Sequence, residues 1–254
     1  MERETKINMY SIILIILFYL IFISIPFSMF IHDEEVVFWI NISLRFLFIP
    51  FFIFYTKKEK LNSVKKLKFN KRDLCFLPFI IICFSNLFVS LISGFDKIEL
   101  SAFYILKYLL FYALVSINEE LVFRVVLNSE LLKYKTRFMS ILLSSLIFGL
   151  IHLVNINSLG SIPYVLLQVL YSFGFGLVLA LIYTYTDNLL YVFLMHLVFD
   201  FINGFIAVEC FDFIYNWVFY LVNILISIIF ALYGILVYKV KEKDVINATE
   251  NMDI

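Results

Sequence analysis

Six ionisable residues that could do chemistry stand within otherwise apolar stretches of the 254-residue sequence: Glu119, Glu120, Arg124, His152, His196 and Asp200. A charge at the centre of a bilayer costs at least about 2.5–3.5 kcal/mol, so such groups are functional candidates by default. Glu120 and Arg124 are four residues apart on one helical face, with the acid first, and can neutralise one another as an ion pair. Glu119 projects about 100° away around the helix, outside the arginine's direct grip. A carboxylate held in low dielectric is suited to take and return a proton near neutrality, as a general base and acid must. His196 and Asp200 share a face in the same way. His152 closes the run SSLIFGLIHL, one turn after Phe148. Hydrolysis of a peptide bond by water needs a base, a donor for the oxyanion and a proton for the leaving amine, and this set contains candidates for each.

Groups with these roles need rigid elements, and the composition says what those are. Hydrophobic residues make up 63% of the chain, against roughly 45–50% in a soluble domain. Stretches near the length a bilayer requires fall near residues 9–31, 36–56, 74–93, 100–127, 138–155, 163–186, 188–206 and 213–238. The expected fold is therefore all-α, a polytopic membrane bundle of about eight transmembrane helices forming one integral domain over residues 1–254. The first segment is too long for a signal-peptide core and is read as a retained helix bent at Pro26. Balanced charge, 20 basic against 20 acidic residues, gives no field for nucleic acid. Sixteen of the twenty Lys and Arg fall on one set of alternate connections, eight of them in segment 57–73. The positive-inside rule then places both termini on the cytoplasmic side, with Asp96, Glu99, Glu209 and Asp212 outside.

Two further intramembrane cations, Arg45 and Lys107, stand alone in the sequence and read as structural, Lys107 near enough to its helix end to snorkel. Cys75, Cys83 and Cys210 show no paired spacing and read as apolar filler rather than as a disulfide or thiolate zinc set.

The order Glu119-Glu120-x-x-x-Arg124, Phe148-x-x-x-His152 and His196-x-x-x-Asp200 resembles the three motifs of the CPBP family, the CAAX protease and bacteriocin-processing (Abi) intramembrane endopeptidases. The likeness spans about residues 110–205. It implies a catalytic cavity inside the membrane, where Glu119 and His152 activate water and His196 with Asp200 stabilises the oxyanion, while Glu120, Arg124 and Phe148 support them. Eukaryotic members carry Asn where this chain has Asp200. An ionised Asp cannot donate a hydrogen bond, so Asp200 is expected to orient His196 and stabilise its imidazolium form. The substrate implied is a membrane-associated peptide or precursor, the location a bacterial plasma membrane, and the chemistry free of cofactor. Three alternatives stay open: an immunity or regulatory protein on the same scaffold, a zinc-dependent protease with Glu119, His152 and His196 as ligands, and a proton-coupled transporter. There is no HExxH to favour zinc, and no pair of matched Gly/Pro-broken halves to favour transport.

Overall fold

The computed structural model describes residues 2–23, 25, 27–58, 75–84, 101–157, 162–206 and 217–250. Helices account for nearly all of them: α1 Glu2–Ile23, α2 Glu34–Lys58, α3 Leu77–Cys83, α4 Ala102–Glu120, α5 Arg137–Leu150, α6 Ile162–Thr186, α7 Leu189–Asp200 and α8 Trp217–Glu250. Among the described residues, four segments are long and apolar enough to cross a membrane: Glu34–Phe54, Arg137–Ile156, Ile162–Thr186 and Tyr220–Asp244. Tyr10–Phe22 and Leu189–Asn203 are shorter apolar helices. Helix α1 ends at Ile23, short of the expected residue 31, and a 3₁₀ turn follows at Phe27–Met29. Pro26, residues 59–73 of the basic segment, Cys210 and the acidic positions Asp96, Glu99, Glu209 and Asp212 lie outside the described residues.

The helix starts follow from local chemistry. Ser101 caps α4 by accepting from the Tyr104 amide at 3.2 Å, and Thr136 caps α5 by accepting from the Met139 amide at 3.3 Å. Asn188 accepts from the Leu190 and Tyr191 amides at 3.1 and 3.4 Å, which sets where α7 begins. Each satisfies amides that the first turn leaves without a helical partner. Before Asn188 the chain reverses through Asp187 at φ 49°, a left-handed conformation that Asp tolerates better than bulkier residues.

Helix α6 is the central post, packing against both α5 and α8. Glycines set those distances. A Cβ on Gly149 would lie 2.9 Å from the Val169 carbonyl, and one on Gly174 would lie 2.9 Å from the Ser227 carbonyl. Small residues at such crossings let backbones approach closely, which lipid-embedded helices use in place of a hydrophobic driving force. Around this post Phe175 stacks on Phe199 at 4.1 Å and meets Phe79 and Phe230 at 5.5 and 5.8 Å.

Lys107 and Arg45 are not solitary. Lys107 is buried, ion-paired with Glu35 and set 4.3 Å from the Phe38 ring, so it ties α4 to α2 instead of reaching the surface. Arg45 donates to the Asn41 carbonyl and Oδ1 at 3.2 and 3.3 Å and lies 5.1 Å from the Phe111 ring. Lys107's partner lies 72 residues away on α2, whereas Arg45's is Asn41, one turn earlier on its own helix. Cys75 is half-buried, and its carbonyl accepts from the Tyr233 hydroxyl.

Gly174→Val should force α6 and α8 apart, because the blocking atom is backbone. The expected cost is about 1–3 kcal/mol, read as a lower thermal midpoint in detergent; an unchanged midpoint contradicts the close approach.

Candidate active site

Helix α4 widens where its acids end. Residues Leu121–Asn128 form a π-helical stretch with every residue buried, and the Ser129 amide and hydroxyl both return to the Arg124 carbonyl, five residues back. Helix α7 does the same after Asp200, at Phe201–Ile206. Such segments are rare and concentrate at functional sites. Here each begins at the residue after a site acid, and the widened turn changes which side chains one helix can bring to bear on its neighbours.

The six residues singled out from the sequence come from three neighbouring regions, α4, α5 with the 3₁₀ turn Ile151–Asn157, and α7. Helix α7 packs directly on α4, and His196 is its point of contact with the acids. His196 Nδ1 lies 2.8 Å from Glu120 Oε1, while Nε2 lies 3.3 Å from Asp200 Oδ2 and 3.6 Å from Glu119 Oε2. Glu120 Oε2 in turn lies 3.0 Å from Arg124 Nε, an ion pair with both side chains fully buried. One imidazole therefore bridges a carboxylate already paired with arginine and two that are not. The Glu119 side chain is 11% exposed and that of Asp200 21%, so the two acids outside the arginine pair are also more exposed than Glu120.

His152 Nδ1 lies 2.9 Å from the Phe148 carbonyl, one turn earlier. A carbonyl only accepts, so Nδ1 carries a proton. Phe148 is a shared wall: its ring meets His152 at 5.3 Å and His196 at 5.8 Å, both edge-on, and the Arg124 guanidinium lies 4.7 Å from its centroid. Phe175 closes the other side of His196 at 5.2 Å.

Two features of this arrangement were not read from the sequence. The first is the role of Glu120, which the spacing assigned to Arg124 alone. It takes Nδ1 of His196 as well, so two carboxylates hold this imidazole, Glu120 at Nδ1 and Asp200 at Nε2. The second is the amino-terminal helices. The Asn118 amide donates to the Arg45 carbonyl at 2.9 Å, joining α4 to α2 beside Glu119, and both Arg45 and the buried Tyr19 of α1 interact electrostatically with Glu119. Ser116 also joins the site, its Oγ 3.4 Å from Asp200 Oδ2. Its position one turn before Glu120 was a usable signal; Tyr19 had none.

Residues 101–202, which hold every one of these side chains except those of α1 and α2, match the family model of the Type II CAAX prenyl endopeptidase Rce1-like proteins. This segment is similar to the CPBP/CAAX protease family. With several helices long and apolar enough to cross a membrane, the chain is a multi-pass membrane protein, and the match of this segment is to a family of proteases. No curated protein and no solved structure matches the chain.

A zinc ion would draw on the same histidines and carboxylates. Both histidines present Nδ1 to an oxygen, as zinc-bound histidines commonly do. Among the described residues, however, no three His, Cys, Asp or Glu side chains gather closely enough to hold a metal ion. Glu119, His152 and His196 do not fit zinc as they stand, and no step below passes through a metal.

Removing one partner of a buried ion pair leaves an uncompensated charge. Glu120→Gln should therefore destabilise the bundle by about 3–5 kcal/mol, whereas Glu120→Gln combined with Arg124→Met should recover much of that loss. Thermal unfolding in detergent measures both, and a double variant no more stable than the single contradicts the pairing.

Proposed function

We propose that this chain is an intramembrane endopeptidase that hydrolyses a peptide bond of a membrane-associated peptide or precursor, using water activated by Glu119. The observation that carries the reading is His196 held at Nδ1 by Glu120 while its Nε2 faces the unpaired Glu119 and Asp200. In the proposed step Glu119 takes a proton from water as the oxygen attacks the substrate carbonyl. The carbon–oxygen double bond opens to an oxyanion, which accepts a hydrogen bond from Nε2–H of the doubly protonated His196. Glu120 keeps the ring in place and, with Asp200, balances its charge, as the acid of a hydrolase triad does. Collapse of the intermediate re-forms the carbonyl and breaks the C–N bond, and the proton held by Glu119 passes to the leaving amine. His152, with Nδ1 pinned by the Phe148 carbonyl, offers Nε2 to share that proton.

Burial supports the same reading. Hydrogen bonds to a developing charge are worth most where water is excluded, and Phe148 and Phe175 wall the site on two sides. We further propose an eight-span bundle with both termini on the cytoplasmic face of a bacterial plasma membrane. The asymmetry of Lys and Arg supports the orientation, and an Ile-, Phe-, Lys- and Asn-rich composition supports the source. Chemistry without a resident metal is part of the proposal; among the described residues no three His, Cys, Asp or Glu side chains are set to hold a metal ion.

Purified in detergent, the wild-type chain should cleave members of a panel of transmembrane peptides and keep its activity in a zinc chelator. Glu119→Gln and His196→Ala should each lower kcat/KM by about 10²–10⁴. Asp200→Asn should lower it less than His196→Ala, because amide and carboxylate can both sit against Nε2. Equal cleavage by wild type and Glu119→Gln would sink the mechanism, and loss in chelator with recovery on added zinc would replace it with the metal-dependent form.

A further inference from the structure

Leading away from the catalytic cluster is a polar seam, a row along α4 met near Asp200 by Tyr171 of α6, that the mechanism does not use. Tyr104, Tyr108, Tyr112 and Ser116 recur at every fourth residue of α4 and so share one face. The hydroxyls of Tyr104 and Tyr108 are hydrogen-bonded at 3.3 Å, and successive ring centroids are 4.7 and 6.4 Å apart. Ser116 ends the row against Asp200. Across from it on α6, the Tyr171 hydroxyl is hydrogen-bonded to Gln168 and lies within electrostatic reach of Tyr112 and Asp200. The Tyr112 ring leans on Phe201 at 6.5 Å and the Tyr171 ring on Phe199 at 6.2 Å, so the two tyrosines bracket Asp200 along α7.

Depth makes the seam unusual. From Tyr104 to Ser116 the row covers about 18 Å of helix, more than half of a hydrocarbon core about 30 Å thick. Tyrosine is at home at the membrane interface, where its hydroxyl is wet; a file running inward is not explained by that preference. The lipid side of α4 is supplied by other residues, Phe103, Leu106 and Leu110, which are exposed, whereas the three tyrosines are half-buried. Hydroxyls and an amide placed along this line can both donate and accept. What requires such groups at membrane depth is non-helical backbone, whose N–H and C=O find no partners in lipid and are tolerated only against protein or water.

Building on the protease reading above, we propose that the seam is the binding groove for the substrate's unwound segment. The segment enters at the end of the bundle where α4 and α6 begin. Tyr108, Tyr112 and Gln168 hydrogen-bond its main chain and feed the scissile bond to Asp200 and His196. Because the ligand is backbone, the groove selects for an extended conformation more than for particular side chains.

The test uses the full-length chain in detergent carrying Glu119→Gln, with a dye-labelled transmembrane peptide of Leu and Ala broken at its centre by Gly-Ser-Gly. Adding Tyr108→Phe and Tyr112→Phe, which keeps the rings, should weaken binding about tenfold, the loss expected of two hydrogen bonds. Gln168→Leu should weaken it separately, and an unbroken Leu/Ala helix should bind poorly to every form. Unchanged affinity in both variants, or equal binding of broken and unbroken peptides, overturns the groove. Cleavage is read independently with Glu119 restored. Weakened binding in the variants without cleavage by the wild type removes the hydrolytic reading and leaves the groove standing.

Discussion

Glu120 lies at the centre of the constraint that organises this molecule. Its two oxygens face opposite duties, one toward Arg124 and one toward His196, and neither can be given up in an environment with so little water. A buried arginine needs a counter-charge, since the penalty for leaving it unpaired is several kcal/mol. The same carboxylate then has to lie where helix α7 delivers an imidazole. The register of α4 against α7 is thus tied to the register of Glu120 against Arg124 within α4. Once Glu120 is committed to these partners, Glu119 must point elsewhere around the helix. It is the adjacent acid, near Nε2 and not in the arginine's pair.

The packing around this chain of charges serves the same end. Phe148 touches Arg124, His152 and His196, so one ring fixes the separation of the two histidines and covers the guanidinium. Gly176 lets that ring sit where it does: a Cβ there would fall 2.9 Å from Phe148 Cδ1. Helix α6 therefore positions the site without contributing an acid, base or histidine to it. The π-helical stretches after Glu120 and Asp200 add a second device. They leave each acid on the last regular turn, with the helix beyond it displaced, so that α4 and α7 can face their site residues together without requiring the remainder of both helices to match.

Most of the helix starts and the pairing of Glu120 with Arg124 were legible in the sequence, because both depend on residues within one or two turns of each other. Ser101, Thr136 and Asn188 announce helices locally, and an i,i+4 acid and base need no knowledge of the fold. The contacts that escaped the sequence join residues far apart in the chain. Lys107 with Glu35, His196 with Glu120 and Asn118 with Arg45 are separated by more than seventy residues each. Sequence spacing says that each of these groups needs a partner, since a buried charge or amide cannot stay bare, but not which helix supplies it. That is why Lys107 looked solitary, and why Glu120 was not read as a partner of His196, whose own helix face offers only Asp200.

The amino-terminal helices take on meaning from the same requirement. The family match begins at residue 101, yet Glu119 is influenced from outside it by Arg45 and Tyr19, and the amide beside it is bonded to the α2 backbone. Tyr19 is wedged between Phe48 and Phe52 at 5.4 and 5.9 Å, so α1 and α2 form a single aromatic cover. Lys107 with Glu35 anchors that cover toward the start of α4, and Asn118 with Arg45 anchors it beside the acids, leaving α2 fastened to α4 at two depths. A lone carboxylate in the bundle would change its charge with every fluctuation of the wall next to it. Fastening that wall on both sides of a helical span of about 16 Å, from Lys107 to Asn118 at 1.5 Å per residue, holds the electrostatic surroundings of Glu119 constant while the opposite side, at Asp200, stays the more open one.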